Sequence, residues 1–136
     1  MRFISLICLA LTAGTAMAEV TSEQLAKLYA QPSPFENVSL ERYVAQSENA
    51  FAIRDKHPQA PVHILIVPKK RVPTVLQATP ELVAEMIALA KKVAKQEGIE
   101  NDGFRLVMNT HPAGRQTVYH FHIHVLGGKK LNWKIG

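Results

Sequence analysis

The chain has 136 residues, 47% of them hydrophobic, and 16 Lys and Arg against 11 Asp and Glu give it a formal charge of +5. That length suits one domain, and so modest a charge, with no dense basic stripe, argues against a nucleic-acid binder while still favouring the approach of a small anion. The single cysteine, Cys8, excludes an intramolecular disulfide and a cysteine-based zinc site.

The opening stretch, MRFISLICLALTAGTAMA, reads as an export signal rather than as part of a fold. Arg2 supplies a positive n-region, Phe3 to Ala13 a short apolar run, and Ala16-Met17-Ala18 an A-x-A cleavage site. A permanent membrane span needs about 20 apolar residues, and this run is much shorter. Cleavage after Ala18 removes Arg2 and Cys8 and leaves about 118 residues, a charge of +4 and no attachment to the membrane. The expected location is outside the cytoplasm, in the periplasm if the source is a Gram-negative bacterium.

Thr21-Ser22-Glu23-Gln24 has the capping-box pattern and predicts a short helix to about Ala30, which Gln31-Pro32-Ser33-Pro34 stops. Residues 19–34 read as an N-terminal extension, and 35–136 as the main domain. Three segments then show strand signals: Val38 to Ala45, Phe51 to Ile53, and Val62 to Val67. Asp55 to Pro61, with two prolines, is a turn between the last two, so a meander is expected. Lys69-Lys70-Arg71, the densest basic run, reads as a solvated loop.

The long helix is expected from Pro80 to about Glu97. Thr79 caps it, Pro80 suits its first position and Gly98 stops it. Leu82, Met86, Leu89 and Val93 recur along it at helical spacing. Phe104 to Asn109 is a further strand. The loop from Thr110 to Val118 leads into a last strand, Tyr119 to Leu126, closed by Gly127-Gly128. The fold class is therefore α+β, an antiparallel sheet with one main helix packed across it.

Chemistry concentrates in that last strand. His120, His122 and His124 alternate with Phe121, Ile123 and Val125, so three imidazoles share one face while the apolar residues share the other. The apolar set has the helix to bury against; the histidine set has no structural purpose of that kind. Two chemistries compete for it. Imidazole binds transition metals, but with a rise of about 3.4 Å per residue His120 and His124 project from points some 13 to 14 Å apart, too far to share one ion. A metal would have to take a pair of them with His63, His111 or an acid. Nucleophilic catalysis uses the array more fully: neutral imidazole both attacks phosphorus and leaves it, and the flanked central ring, His122, is the natural attacker. Gly114, Arg115, Gln116 and Thr117 in the preceding loop offer backbone N–H groups, a cation, an amide and a hydroxyl to an anion.

The run His120-Phe121-His122-Ile123-His124-Val125-Leu126 resembles the signature of the histidine-triad (HIT) superfamily. The similarity extends to Pro58-Gln59-Ala60-Pro61-Val62-His63, to Val67-Pro68-Lys69-Lys70, and to Leu126-Gly127-Gly128 followed by Trp133. The chain looks most like the nucleoside-phosphoramidase branch, whose members are α+β homodimers that cleave nucleoside phosphoramidates through a nucleotidyl-histidine intermediate. The resemblance implies that His122 is the nucleophile, that His124 hydrogen-bonds the phosphate, that His120 orients the nucleophile through its carbonyl, and that His63 belongs to the active site. It further implies that Asp55 binds the ribose hydroxyls, Ile53 lies near the base, Asn109, Gln116 and Thr117 meet the phosphate and leaving group, and Trp133 borders the leaving group. It implies a nucleotide as the small-molecule substrate, a homodimer, and neither cofactor nor metal. Lys56 stands where that branch has an apolar residue, and Arg115 where it has a glycine. Two other readings stay open: an exported histidine-based metal-binding protein, and a nucleotide-binding module with little catalysis.

Overall fold

The computed structural model describes residues 19–136; the expected signal peptide lies outside the described residues. Helix α1 spans Ser22–Tyr29, and its capping box forms as expected: Gln24 N–H donates to Thr21 Oγ1 at 3.1 Å, and Thr21 N–H to Gln24 Oε1 at 2.9 Å. Strands β1 (Tyr43–Gln46), β2 (Ala50–Arg54) and β3 (Val62–Pro68) follow, then helix α2 (Pro80–Gln96) and strands β4 (Phe104–Val107) and β5 (Ile123–Gly127). The five strands form one sheet in the order β1-β2-β3-β5-β4, every neighbouring pair antiparallel. The fold is α+β with α2 across one face of the sheet, and no helix among the described residues is long and apolar enough to cross a membrane.

Strand alternation divides the sheet into two differently used faces. Ala50 and Ala52 of β2, Ile64 and Ile66 of β3, and Ile123 and Val125 of β5 meet Met86, Leu89, Ala90, Val93 and Ala94 of α2. Alanines at two of those sheet positions allow the helix to sit close. On the opposite face Phe51, Ile53, Leu65 and Val67 are covered by Phe35, Val38 and Tyr43 from the chain ahead of and entering β1. The central strand β3 is thus buried on both sides, which accounts for its continuous apolar run.

Two expected strands are shorter than their sequence pattern. Within Val38 to Ala45, residues Leu40–Arg42 form a 3₁₀ turn and Leu40 is 72% exposed; only Tyr43 onward pairs with β2. Val38 packs beside Phe35 instead of continuing a ladder. In the histidine segment the ladder begins at Ile123, paired with Ile66, so His120 and His122 precede β5. Val67 and Pro68 pair with β2 alone, and Phe121 N–H donates to the carbonyl of Val72 at 2.8 Å.

Arg71 corrects the reading of a merely solvated basic run. Its Nη2 donates to the carbonyls of Tyr29 and Gln31, its Nε to that of Tyr119, and its Nη1 to Glu36 at 3.0 Å. One guanidinium therefore ties the N-terminal extension to the segment that begins the triad, using a fork of donors that lysine lacks. Replacing Arg71 with Ala is expected to cost about 1–3 kcal/mol of unfolding free energy in denaturant titrations. It should also speed tryptic cleavage at Lys27. An unchanged midpoint with unchanged cleavage would show that the extension is held by other contacts.

Candidate active site

The β3–β5 register sets Leu65 opposite His124 and His63 opposite Leu126. His63 and His124 are consequently diagonal neighbours on the face away from α2, with ring centroids 5.2 Å apart. The rings of His122 and His124 meet edge-on at 5.0 Å. His122 and His124 line a cleft of about 950 Å³, while His120 is fully buried and stands outside the lining.

Each ring has a partner that fixes which nitrogen carries the proton, because a carbonyl can only accept and a backbone N–H can only donate. His122 Nδ1 lies 2.7 Å from the His120 carbonyl. It must donate there, which leaves Nε2 with a free lone pair. His120 Nε2 donates to the Pro68 carbonyl at 2.9 Å, so its Nδ1 is the acceptor, and Ser33 Oγ lies 2.8 Å from it. Gln59 N–H donates to His63 Nδ1 at 3.0 Å, so His63 bears its proton on Nε2. That nitrogen is 2.9 Å from His124 Nδ1 and 3.5 Å from Asp55 Oδ2. Donation to His124 Nδ1 leaves His124 with an N–H on Nε2. The cleft therefore presents a lone pair on His122 next to an N–H on His124.

All four rings favour the neutral form. Burial holds His63, His120 and His122 below the ordinary histidine value of 6.5. His124 falls furthest, to about 4, through burial and then the neighbouring His122 and His63, with Asp55 opposing.

The cleft wall combines apolar and polar groups. Ile53, Leu65 and Phe35 supply apolar surface; Asp55, Asn109 and Thr117 supply hydrogen-bonding groups; Lys56 and Arg115 supply charge. Trp133 also lines it, with Arg105 stacked 4.6 Å from its ring and donating to its carbonyl. Asp55 Oδ1 accepts the N–H of His57 at 2.7 Å, which fixes the carboxylate at the head of its turn. The structure thus brings His122, His124, Ile53, Asp55, Asn109, Thr117 and Trp133 to one cavity, with His120 and His63 behind it. Gln116 is placed differently. It is buried, its amide donates to the carbonyls of Pro73 and Val118, and its oxygen accepts the N–H of His111, so the side chain braces the loop.

That loop is backbone-constrained. A Cβ on Gly114 would fall 2.2 Å from the Thr110 carbonyl, and His111 and Arg115 both hold positive φ. Non-glycine residues seldom take that conformation without compensation. His111, a candidate metal donor by sequence, instead stacks on Tyr29 and lies 2.6 Å from its hydroxyl. Sequence reasoning missed Ser33, Phe35 and Gln59. Phe35 meets the rings of both His120 and His122 edge-on, at 5.6 and 5.3 Å. Nothing in Pro32-Ser33-Pro34 signals more than a helix stop; Gln59, inside the segment that carried the resemblance, acts through its backbone alone.

Asp55, His63 and His124 place possible metal donors within 4.8 Å of one another. The fit fails at His63. Its Nδ1 already accepts the Gln59 N–H, so Nε2 carries the proton, and a metal there would need the imidazolate or the loss of that hydrogen bond. The donor set suits a hydrogen-bonded chain better than a cation.

Residues 36–131 match the family described as HIT domain. The purine nucleoside phosphoramidase of Escherichia coli (strain K12) is 50% identical over 91 residues, covering 65% of this chain and 76% of its own. Adenylylsulfatase HINT1 of Arabidopsis thaliana is 37% identical over 134 residues, covering 89% of this chain and 90% of its own. Among solved structures, a HIT family hydrolase from Legionella pneumophila Philadelphia 1 superposes with a TM-score of 0.65 at 43% identity, over 70% of this chain and 88% of that one.

The depressed histidines contribute to the acid stability. Between the His124 value of about 4 and the ordinary 6.5, the unfolded chain binds a proton that the folded chain refuses. This contribution is complete above 6.5 and is lost as pH falls toward 4, and the other three rings act in the same direction. The melting temperature should fall as pH drops from 6.5 to 4.5, and His124→Gln should flatten that slope. A melting temperature constant over this range would contradict the neutral, buried assignment.

Proposed function

The chain belongs to the HIT domain family, and from that premise we propose that it hydrolyses nucleoside monophosphate derivatives through a covalent nucleotidyl intermediate on His122. One observation carries the reading: the His120 carbonyl holds the His122 Nδ1–H at 2.7 Å and so leaves a lone pair on Nε2, in a cleft that His124 also lines. In this account Ile53, Leu65 and Phe35 receive the base, Asp55 accepts the ribose hydroxyls, and the His124 N–H meets a phosphate oxygen. His122 Nε2 attacks phosphorus as the bond to the leaving group breaks, the electron pair departing with the leaving atom. For an amine, that atom takes up a proton from solvent relayed through the Thr117 hydroxyl, and the water of the second step returns one proton to solvent as it attacks. The intermediate ring carries phosphorus on Nε2 and a proton on Nδ1, hence a positive charge, which the His120 carbonyl stabilises. Water then displaces the imidazole, releasing the monophosphate and restoring the lone pair.

The names borne by relatives supply two leaving-group chemistries, an amine in the phosphoramidase and sulfate in the adenylylsulfatase. The P–N reading is favoured by the higher identity to the phosphoramidase. Gln116 enters as a brace for the loop that carries Thr117. Export belongs to the same proposal, resting on Arg2, the apolar run and Ala16-Met17-Ala18, with 1–18 as leader, 19–34 as extension and 35–136 as the HIT domain. So does a homodimer, for which β4 offers an unpaired sheet edge beside the exposed Met108.

His122→Ala should lower turnover by roughly three orders of magnitude or more while the protein still melts cooperatively. Quenching the wild type with nucleotide phosphoramidates, nucleotidyl sulfates and dinucleoside polyphosphates should trap a nucleotidyl mass increment on the His122 peptide. Activity should survive chelation in full. Turnover that persists in His122→Ala would refute the covalent account, loss of activity on chelation would favour the metal reading, and tight nucleotide binding without product would favour a binding module. Sedimentation should give twice the chain mass; a monomer at micromolar concentration would remove the dimer.

A further inference from the structure

Ser33 lies just ahead of the stretch that matches the family, residues 36–131, yet its side chain reaches the triad. Its hydroxyl oxygen accepts the N–H of Phe35 at 3.0 Å and stands 2.8 Å from His120 Nδ1. On its far side the same ring donates from Nε2 to the Pro68 carbonyl. Since that carbonyl can only accept, His120 Nδ1 is an acceptor, and the Ser33 hydroxyl is the group that donates to it. The imidazole is fully buried, so no solvent replaces this donor.

We infer that Ser33 is a positioning residue of the active centre: its O–H locks the His120 ring against Pro68, and this fixes the backbone carbonyl that holds His122. This deepens the proposed function and rests on it for the catalytic consequence. The two ends of the ring are complementary. With the opposite tautomer, a His120 lone pair would face the lone pairs of the Pro68 carbonyl, so serine and carbonyl together select one state. The residue locked in this way supplies the carbonyl that accepts the His122 Nδ1–H. Phe35, two residues along, packs its ring against both histidines, so one short segment sets the ring of His120 and confines that of His122.

The segment is anchored by hydrogen bonds to other parts of the chain. Arg71 grips the carbonyls of Tyr29 and Gln31, and the Tyr29 hydroxyl meets His111 of the cleft loop. Residues 29–35 therefore form a strap from outside the family-matched stretch that completes the support of the nucleophile.

The test uses the chain lacking residues 1–18, with Ser33→Ala, Ser33→Cys and Ser33→Thr. Imidazole ¹⁵N correlation spectra of the wild type should show His120 protonated on Nε2 and hydrogen-bonded at Nδ1. In Ser33→Ala that Nδ1 signal should move to the position of a free acceptor or broaden with tautomer exchange. With whichever substrate the panel identifies, kcat should fall roughly tenfold to a hundredfold, as for a slightly misplaced nucleophile. KM should stay within about twofold. Ser33→Thr should restore both the signal and kcat. Ser33→Cys, a weak donor of similar size, should resemble Ala, and it decides the matter if Ala does not fold. An unchanged His120 signature in both Ala and Cys variants, or wild-type kcat with an altered signature, would overturn the inference. The spectra need no turnover, so a failed substrate panel counts against the hydrolase reading alone.

Discussion

A single hydrogen bond governs this site, that from His122 Nδ1 to the carbonyl of His120, 2.7 Å long. Imidazole has two nitrogens, and an attack on phosphorus needs one of them unprotonated and aimed. A carbonyl partner resolves the choice absolutely, because it has no proton to give. Everything around the cleft then reads as support for that carbonyl or for the ring it holds. Pro68 at the end of β3 and Ser33 in the extension fix the ring of the residue that owns the carbonyl. Phe35 packs edge-on against both rings.

The second pair of histidines solves the complementary problem. A phosphate oxygen needs a donor, and His124 is made one by a chain that starts at a backbone amide: Gln59 N–H to His63, and His63 to His124. Burial favours the neutral form of both rings, so the cleft presents oriented dipoles rather than fixed imidazolium charge. Lys56 and Arg115 line the same cleft, and among the described residues neither makes an ion pair. Attraction and orientation are thereby assigned to different groups.

The fold was legible from sequence wherever a pattern had one physical meaning. The capping residues and apolar stripe of α2 and the continuous run of β3 appear in the structure as their periodicities require. The alternating histidines likewise identified the cleft. What was not legible was anything that depended on a backbone atom. Gln59 contributes only an N–H and Pro68 only a carbonyl, and such groups exist at nearly every residue, so their use leaves no mark on composition. Ser33 and Arg71 were hidden for a related reason: each acts on a partner far along the chain, Ser33 on His120 and Arg71 on Tyr29 and Tyr119.

The shortened strand β5 explains why the departure from the expected pattern matters. In an extended ladder, carbonyls lie in the plane of the sheet while side chains stand perpendicular to it, so a residue's carbonyl cannot meet the side chain two positions on. Three histidines in uninterrupted strand geometry would share a face but leave His122 without its backbone partner. The β3–β5 ladder ends at the pair Ile66–Ile123, while Val67 and Pro68 continue to pair with β2 alone, and the chain at His120 is free to turn its carbonyl onto the His122 ring. The space this opens is filled by the buried His120 imidazole, which takes the Pro68 carbonyl at the end of β3. Alternation in the sequence puts His122 and His124 on the cleft, and the end of the ladder lets the His120 carbonyl fix the tautomer of the His122 ring.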